Sequence, residues 1–182
     1  MKIDLSSFSN EDYQPGSLVK RFLWHLVNRI IIQTSIPFPS SFKSWMLRLF
    51  GAKIGRGLVI KPKVNIKYPW FLEIGNHCWI GEDVWIDNLT HVKIESNVCI
   101  SQGAMLLTGN HNYKKSSFDL ITDSITLEDG VWIGAKSVVC PGVTCGSHVV
   151  LSVGSIATKD LEPYTIYQGN PAESIRKRRL IG

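Results

Sequence analysis

The chain has 182 residues, of which 44% are hydrophobic, and carries 20 Lys and Arg against 15 Asp and Glu for a net charge of +5. That length fits one domain with a short appendage, and that hydrophobic share excludes a disordered chain. The modest positive excess suits an anionic ligand and gives no sign of a nucleic-acid partner.

In chain order, the opening "MKIDLSSFSNEDYQPGS" is too polar for a secretory signal. Residues 18–32 then set Leu18, Phe22, Leu26 and Ile30 beside Val19, Leu23, Val27 and Ile31, two adjacent rows of an amphipathic helix. The stretch carries Asn28 and Arg29 and is too short to span a bilayer. Pro37 and Pro39 break it, and a second short helix around Phe42–Phe50 ends at Gly51. Residues 1–51 thus read as a helical extension that caps or flanks the repetitive body of the chain. Its Lys20, Arg21, Arg29, Lys43 and Arg48 admit a second reading, peripheral contact with a membrane.

From Ile54 the chain keeps a six-residue beat: Ile54, Ile60, Ile66; Ile74, Ile80, Ile86; Ile94, Ile100, Leu106; then Leu127, Ile133, Val139, Cys145 and Leu151. A second track of small or aliphatic residues runs four positions later, from Leu58 and Val64 to Val149 and Ser155, and glycine often follows the lead residue, as at Gly75 and Gly134. Hexapeptide periodicity held on two tracks predicts a parallel β-helix, three hexads to a triangular coil, over residues 52–162. Cys78 and Cys145 fall on the core tracks. The four cysteines lack the density of a disulfide framework and form no CxxC pair, so they read as reduced, inert thiols. Together with the polar start, this predicts a soluble cytoplasmic protein. A short helix from Pro171 to Leu180 is predicted within the closing segment 163–182, after the turn-like "QGNPAES".

The beat is interrupted after the third hexad of each of the first three coils: around Tyr68–Phe71, around Asp87–His91, and at length over residues 107–124. One edge of the prism should therefore gather Trp70, Asn88, Thr90, His91 and His111, and loops on a rigid scaffold are where binding residues collect. His111, in "TGNHNY", is the candidate general base, because an imidazole can take a proton from a hydroxyl near neutral pH. His25, His77 and His148 read as structural. Asn88, near His111 by phase, is the candidate for orienting an acceptor.

The stretches "RLFGAKIGRGLVIKPKVNIKYPWFLEIGNHCWIG", "ISQGAMLLTGNHNY", "FDLITDSITLEDGVWIGA" and "VWIGAKSVVCPGVTCGSHVVLSVGSIATKDLEPYTIYQGNPAESIRKR" resemble the hexapeptide-repeat acyltransferases, and among them the colanic-acid acetyltransferase branch of bacterial exopolysaccharide synthesis. The resemblance implies an all-β, left-handed parallel β-helix and direct acetyl transfer from acetyl-CoA to a saccharide hydroxyl, with no metal. It assigns the catalytic base to His111, the pocket wall to Trp132, contacts with the pantetheine arm to Ala135 and Val153, and the nucleotide phosphates to Thr158, Lys159 and Arg176. The spacing agrees in part: Ala135 and Val153 are eighteen residues apart, one coil, and would stack. "SVGS" at Ser152–Ser155 and Cys145 depart from the usual pattern without removing a catalytic group.

The resemblance also implies a homotrimer with sites between subunits, for which a flat side bearing Trp79 and Trp85 would be the covered surface, and action at the inner face of the membrane if the acceptor is lipid-linked. The alternatives are an antibiotic acetyltransferase of the streptogramin or chloramphenicol type, a γ-carbonic-anhydrase-like zinc protein using His91 and His111, and a scaffold that has lost its reaction. Against zinc, the stretch after His111, "NYKKSS", lacks that family's further histidine.

Overall fold

The computed structural model describes residues 2–181. The hexad rhythm winds residues 53–169 into a left-handed parallel β-helix of triangular section. Strands Lys53–Ile54, Leu72–Ile74, Val92–Ile94, Ile125–Leu127 and Thr144–Cys145 stack as face one. Face two stacks Val59–Ile60, Trp79–Ile80, Cys99–Ile100, Trp132–Ile133, Val150–Leu151 and Thr165–Gly169. Face three stacks Asn65–Ile66, Trp85–Asp87, Met105–Leu107, Val138–Val139 and Ile156–Ala157.

Both sequence tracks point inward. The lead residues stand in register from coil to coil, Ile74 on Ile94 and Ile94 on Leu127. Every lead residue from Ile60 onward and every residue of the second track is buried. Cys78 and Cys145 lie among them, and burial pushes the Cys145 thiol up to about 12. All four cysteines are free, with thiols raised chiefly by burial.

The glycines after the leads answer to coil spacing. A Cβ on Gly75 would stand 2.8 Å from the Ser96 nitrogen, and one on Gly134 would stand 2.6 Å from the Val153 nitrogen.

The first coil has no coil beneath it, so its backbone groups need other partners. Two helices supply them, α1 (Leu18–Val27, running on into a π-helical turn, Asn28–Ile32) and α2 (Ser40–Leu49). On face one, Arg48 donates to the Ile54 carbonyl at 3.0 Å. On face two, Ser40 Oγ accepts the Ile60 N–H at 3.0 Å, and the Lys43 ammonium donates to the Ile60 and Lys61 carbonyls at 3.3 and 3.0 Å. On face three, Trp24 Nε1 donates to the Ile66 carbonyl at 2.9 Å and Asn28 accepts the Ile66 N–H. The extension is therefore a lid on the prism's lower end.

Three expectations need correction. The row of α1 that packs inward is Trp24, Asn28 and Ile32, whereas Leu18, Val19, Phe22, Leu23, Leu26 and Ile30 are exposed. The row Leu18, Phe22, Leu26 and Ile30 thus faces outward, and the second row turns in only at Val27 and Ile31, which are partly buried against the core. Secondly, the closing segment holds no helix over Pro171–Leu180: Ala172–Lys177 is a strand, antiparallel to Thr165–Gly169. At the upper end the open edge of Thr165–Gly169 offers unpaired N–H and C=O groups, and pairing there overrides the local helical preference of Glu, Arg and Lys. Finally, Trp79 and Trp85 share no side, the first lying on face two and the second on face three.

Candidate functional site

The three interruptions fall at the corner between faces three and one, stacked coil on coil. The lowest forms a short 3-10 turn, Pro69–Phe71. Above it the Phe71 ring meets His91 edge-on at 5.2 Å between centroids, and the Thr90 N–H donates to Thr108 Oγ1 at 3.2 Å. The longest interruption is itself a β-hairpin, Gly109–His111 against Leu120–Thr122, with His111 opposite Leu120.

His111 is held from two sides. Its ring stacks on Phe118, 4.5 Å between centroids and 9° from parallel. Its Nδ1 lies 2.9 Å from the Phe118 carbonyl oxygen. A carbonyl only accepts, so Nδ1 carries the proton and Nε2 keeps a free lone pair. The loop thus presents an oriented proton acceptor.

Part of this neighbourhood left no mark in the sequence. The N-terminal segment runs along the same corner: the Asp4 N–H donates to the Ser116 carbonyl at 2.9 Å, and the Phe8 ring stands 6.1 Å from His111. The Tyr13 hydroxyl donates to the Leu89 carbonyl at 2.7 Å, and burial pushes this phenol well above its ordinary range. Residues 2–16 belong to no repeat, so neither Phe8 nor Tyr13 announces its position.

The expected acceptor contact at Asn88 is corrected. Its side chain is fully buried, Oδ1 accepting the Tyr68 N–H at 3.1 Å and Nδ2 donating to the Tyr68 carbonyl at 2.5 Å. The amide joins two coils at the corner and is closed to a ligand.

The other assigned residues lie elsewhere. Gln102, Trp132, Ala135, Val153 and Arg176 line one groove of about 520 Å³ on face two and its corner with face three. Trp132 is half-exposed, and its Nε1 donates to Ser101 Oγ at 2.9 Å. Ala135 and Val153 occupy equivalent corner positions one coil apart, and the Ala135 carbonyl accepts the Gly154 N–H at 2.9 Å. Gln102 has the same phase one coil lower, two residues after its lead, so spacing alone could have found it. Arg176 enters from the closing strand, and a second basic recess, Arg176–Arg179, adjoins it. Thr158 is exposed, and Lys159 is paired with the Glu173 carboxylate at 3.1 Å. Among the described residues, no group of three His, Cys, Asp or Glu side chains could hold a metal ion.

One chain therefore brings Trp132, Ala135, Val153 and Arg176 together and leaves His111 apart, at the opposite edge of face three.

The solenoid is the fold of the hexapeptide-repeat acetyltransferases. A galactoside acetyltransferase solved with coenzyme A superposes with a TM-score of 0.81 at 26% identity, over 92% of this chain and 85% of that one. A hexapeptide-repeat acetyltransferase of Vibrio cholerae solved with acetyl coenzyme A superposes with a TM-score of 0.79 at 23% identity, over 88% of each, a likeness of fold. No family model matches the sequence. The putative colanic acid biosynthesis acetyltransferase WcaF of Escherichia coli (strain K12) is 36% identical over 176 residues, covering 96% of this chain and 97% of that protein. The galactoside O-acetyltransferase of the same strain is 32% identical over 129 residues, 69% of this chain and 64% of that protein. The chain belongs to the WcaF family of acetyltransferases.

Proposed function

We propose that this protein transfers the acetyl group of acetyl-CoA to a hydroxyl of a saccharide in bacterial exopolysaccharide synthesis, with His111 as general base. The observation that carries the reading is the single groove that gathers Trp132, Ala135, Val153 and Arg176. In it the pantetheine arm would lie along Ala135 and Val153, the thioester near Trp132, and the phosphates toward Arg176. Thr158 and Lys159 would stand near that phosphate end, Lys159 exchanging its Glu173 partner for phosphate.

The acceptor oxygen attacks the thioester carbonyl while Nε2 of His111 takes its proton. The tetrahedral intermediate then collapses, the C–S bond breaks, and the imidazolium returns the proton to the departing thiolate. An acetyl ester and coenzyme A result. Holding both substrates at one site supplies much of the acceleration, and the base adds about a hundredfold to ten-thousandfold.

Because His111 and the groove lie at different edges of one chain, the reading needs a second copy whose His111 hairpin faces the groove. A closed homotrimer meets that need three times over. In this reading the protein works in the cytoplasm, and at the inner face of the membrane if its acceptor is lipid-linked. The test is acetyl transfer from labelled acetyl-CoA to a panel of saccharides, with thermal unfolding measured beside it. A ligand bound only by the native state raises its stability, so the protein should unfold at a higher temperature with acetyl-CoA. No shift at saturating acetyl-CoA would sink the reading.

A further inference from the structure

A second cleft, of about 340 Å³, opens between α1 and the first coil, on face three rather than face two. That volume falls within the ordinary range of small-ligand pockets, about 300–1,000 Å³. Arg21, His25 and Arg29 line it from the helix and its continuation, and Lys67 lines it from the prism; no carboxylate does. Arg21, His25 and Arg29 are spaced i, i+4, i+8, so they form one row along the helix.

This one-sidedness is written in the sequence. From Tyr13 to Leu72 there is no Asp or Glu, while the same stretch holds ten Lys and Arg. Partners for the row inside the protein are correspondingly few. Arg21 Nε is buried without a hydrogen-bond partner, so no group of the protein compensates this guanidinium there. Arg29 donates to Gln33 Oε1 at 3.0 Å, a neutral acceptor. Lys67 stands 3.5 Å from the Asp87 carboxylate, which does not line the cleft. Two guanidinium-bearing residues lining one cleft without acids suit a multiply charged oxyanion, which accepts several charge-assisted hydrogen bonds at once.

The location gives the anion a role. Lys67 and Tyr68 lead into the corner whose third storey carries the His111 hairpin, two coils or about 10 Å higher at ordinary strand spacing. Tyr13 and Leu89 bridge the interval. The outer row of α1, Leu18, Phe22, Leu26 and Ile30, runs exposed beside the basic row.

We propose that this cleft binds the phosphate or pyrophosphate of a phosphate-linked saccharide, whose sugar extends up the corner to His111. The assignment of the sugar end rests on the acetyl-transfer reading. Phosphate is common to a nucleotide sugar and to a lipid-linked saccharide; the outer apolar row of α1 gives a lipid tail a surface that a nucleotide does not need.

The test is titration calorimetry on the full protein saturated with coenzyme A, so that the basic recess at Arg176–Arg179 is already occupied. The ligands are inorganic pyrophosphate, uridine diphosphate galactose and farnesyl diphosphate. Pyrophosphate should bind the native protein and bind roughly tenfold or more weakly to the Arg21→Gln/Arg29→Gln protein, the expected loss of two charge-assisted bonds. Because Arg21 is partly buried, Arg29→Gln and Lys67→Gln are measured singly as well, each with a thermal unfolding curve. Coenzyme A affinity should not change in any of them. Tighter binding of farnesyl diphosphate than of the nucleotide sugar, or the reverse, supports the cleft and assigns the source of the phosphate. Equal pyrophosphate affinity in native and substituted proteins, or none in the native one, overturns the proposal. Failure of the native protein to bind coenzyme A would instead strike the acetyl-transfer reading, and the pyrophosphate titrations would still decide the cleft.

Discussion

At the scale of single residues, two positions show how closely the coil geometry and the chemistry depend on particular atoms. His111 is oriented by a carbonyl that fixes its tautomer and by a phenyl ring that fixes its plane. His111→Ala should lower kcat by about a hundredfold to ten-thousandfold while leaving acetyl-CoA affinity unchanged, since none of the groove-lining residues is altered. A variant that lost both together would remove the histidine from the role of base. Gly75 is bound by space rather than chemistry. A methyl there would meet the next coil's backbone at 2.8 Å, and backbone cannot swing aside as a side chain does. Gly75→Ala should cost about 1–3 kcal/mol of stability, the usual penalty of overpacking. Denaturant unfolding would measure it, and a midpoint equal to that of the native protein would show that the coils can separate.

At the scale of elements, the prism ends decide most of what the repeat does not. Each of the three lowest strands is closed by side chains of α1 or α2, and the Lys43 ammonium is the most buried of these groups. Burial lowers its pKa. Lys43→Met keeps the length of the side chain but leaves the Lys61 carbonyl without its donor and the Ile60 carbonyl with only the long contact to Ser40 Oγ at 3.5 Å. It should destabilise the protein by about 1–3 kcal/mol, read as a lower unfolding midpoint. A neutral or stabilising outcome would mean that water reaches those carbonyls. The same ends separate what was legible in the sequence from what was not. Hexad phase located the coils, both core tracks and the corner of His111, because each lead residue answers only to its own coil and its neighbours. It also stacked Ala135 on Val153. The helix α1 caps the body as its amphipathic pattern suggested, but periodicity did not show that Trp24 and Asn28 turn inward to meet the hydrogen-bonding needs of Ile66 while Leu18, Phe22, Leu26 and Ile30 stay outside. Ala172–Lys177 is likewise a strand because of the open edge beside it. Asn88 had the right phase but the wrong direction, and periodicity does not tell whether a polar side chain at a corner turns outward or ties two coils together.

At the scale of the whole molecule, a single chain holds the parts of the proposed site without assembling them. The His111 hairpin lies at the corner of faces three and one, and the groove of Trp132 and Arg176 at the other edge of face three. Face three separates them and also carries a column of half-buried apolar residues, Trp85, Met105, Val138 and Ile156, in register over four coils. Covering that column with a second copy would bury apolar surface and carry one chain's hairpin toward the next chain's groove, a heterologous contact that closes after three steps. Two inactive variants can test this together. His111→Ala lacks the base and keeps the groove; Ala135→Trp keeps the base and fills the groove. If the site lies between subunits, co-refolding the two in equal amounts should restore acetyl transfer to about a quarter of the native level, the share of interfaces that pair an intact hairpin with an intact groove under random assembly. If each chain works alone, the mixture stays inactive at every ratio. Sedimentation of the native protein reads the stoichiometry separately, so a trimer without recovered activity would confine the error to the position of the site.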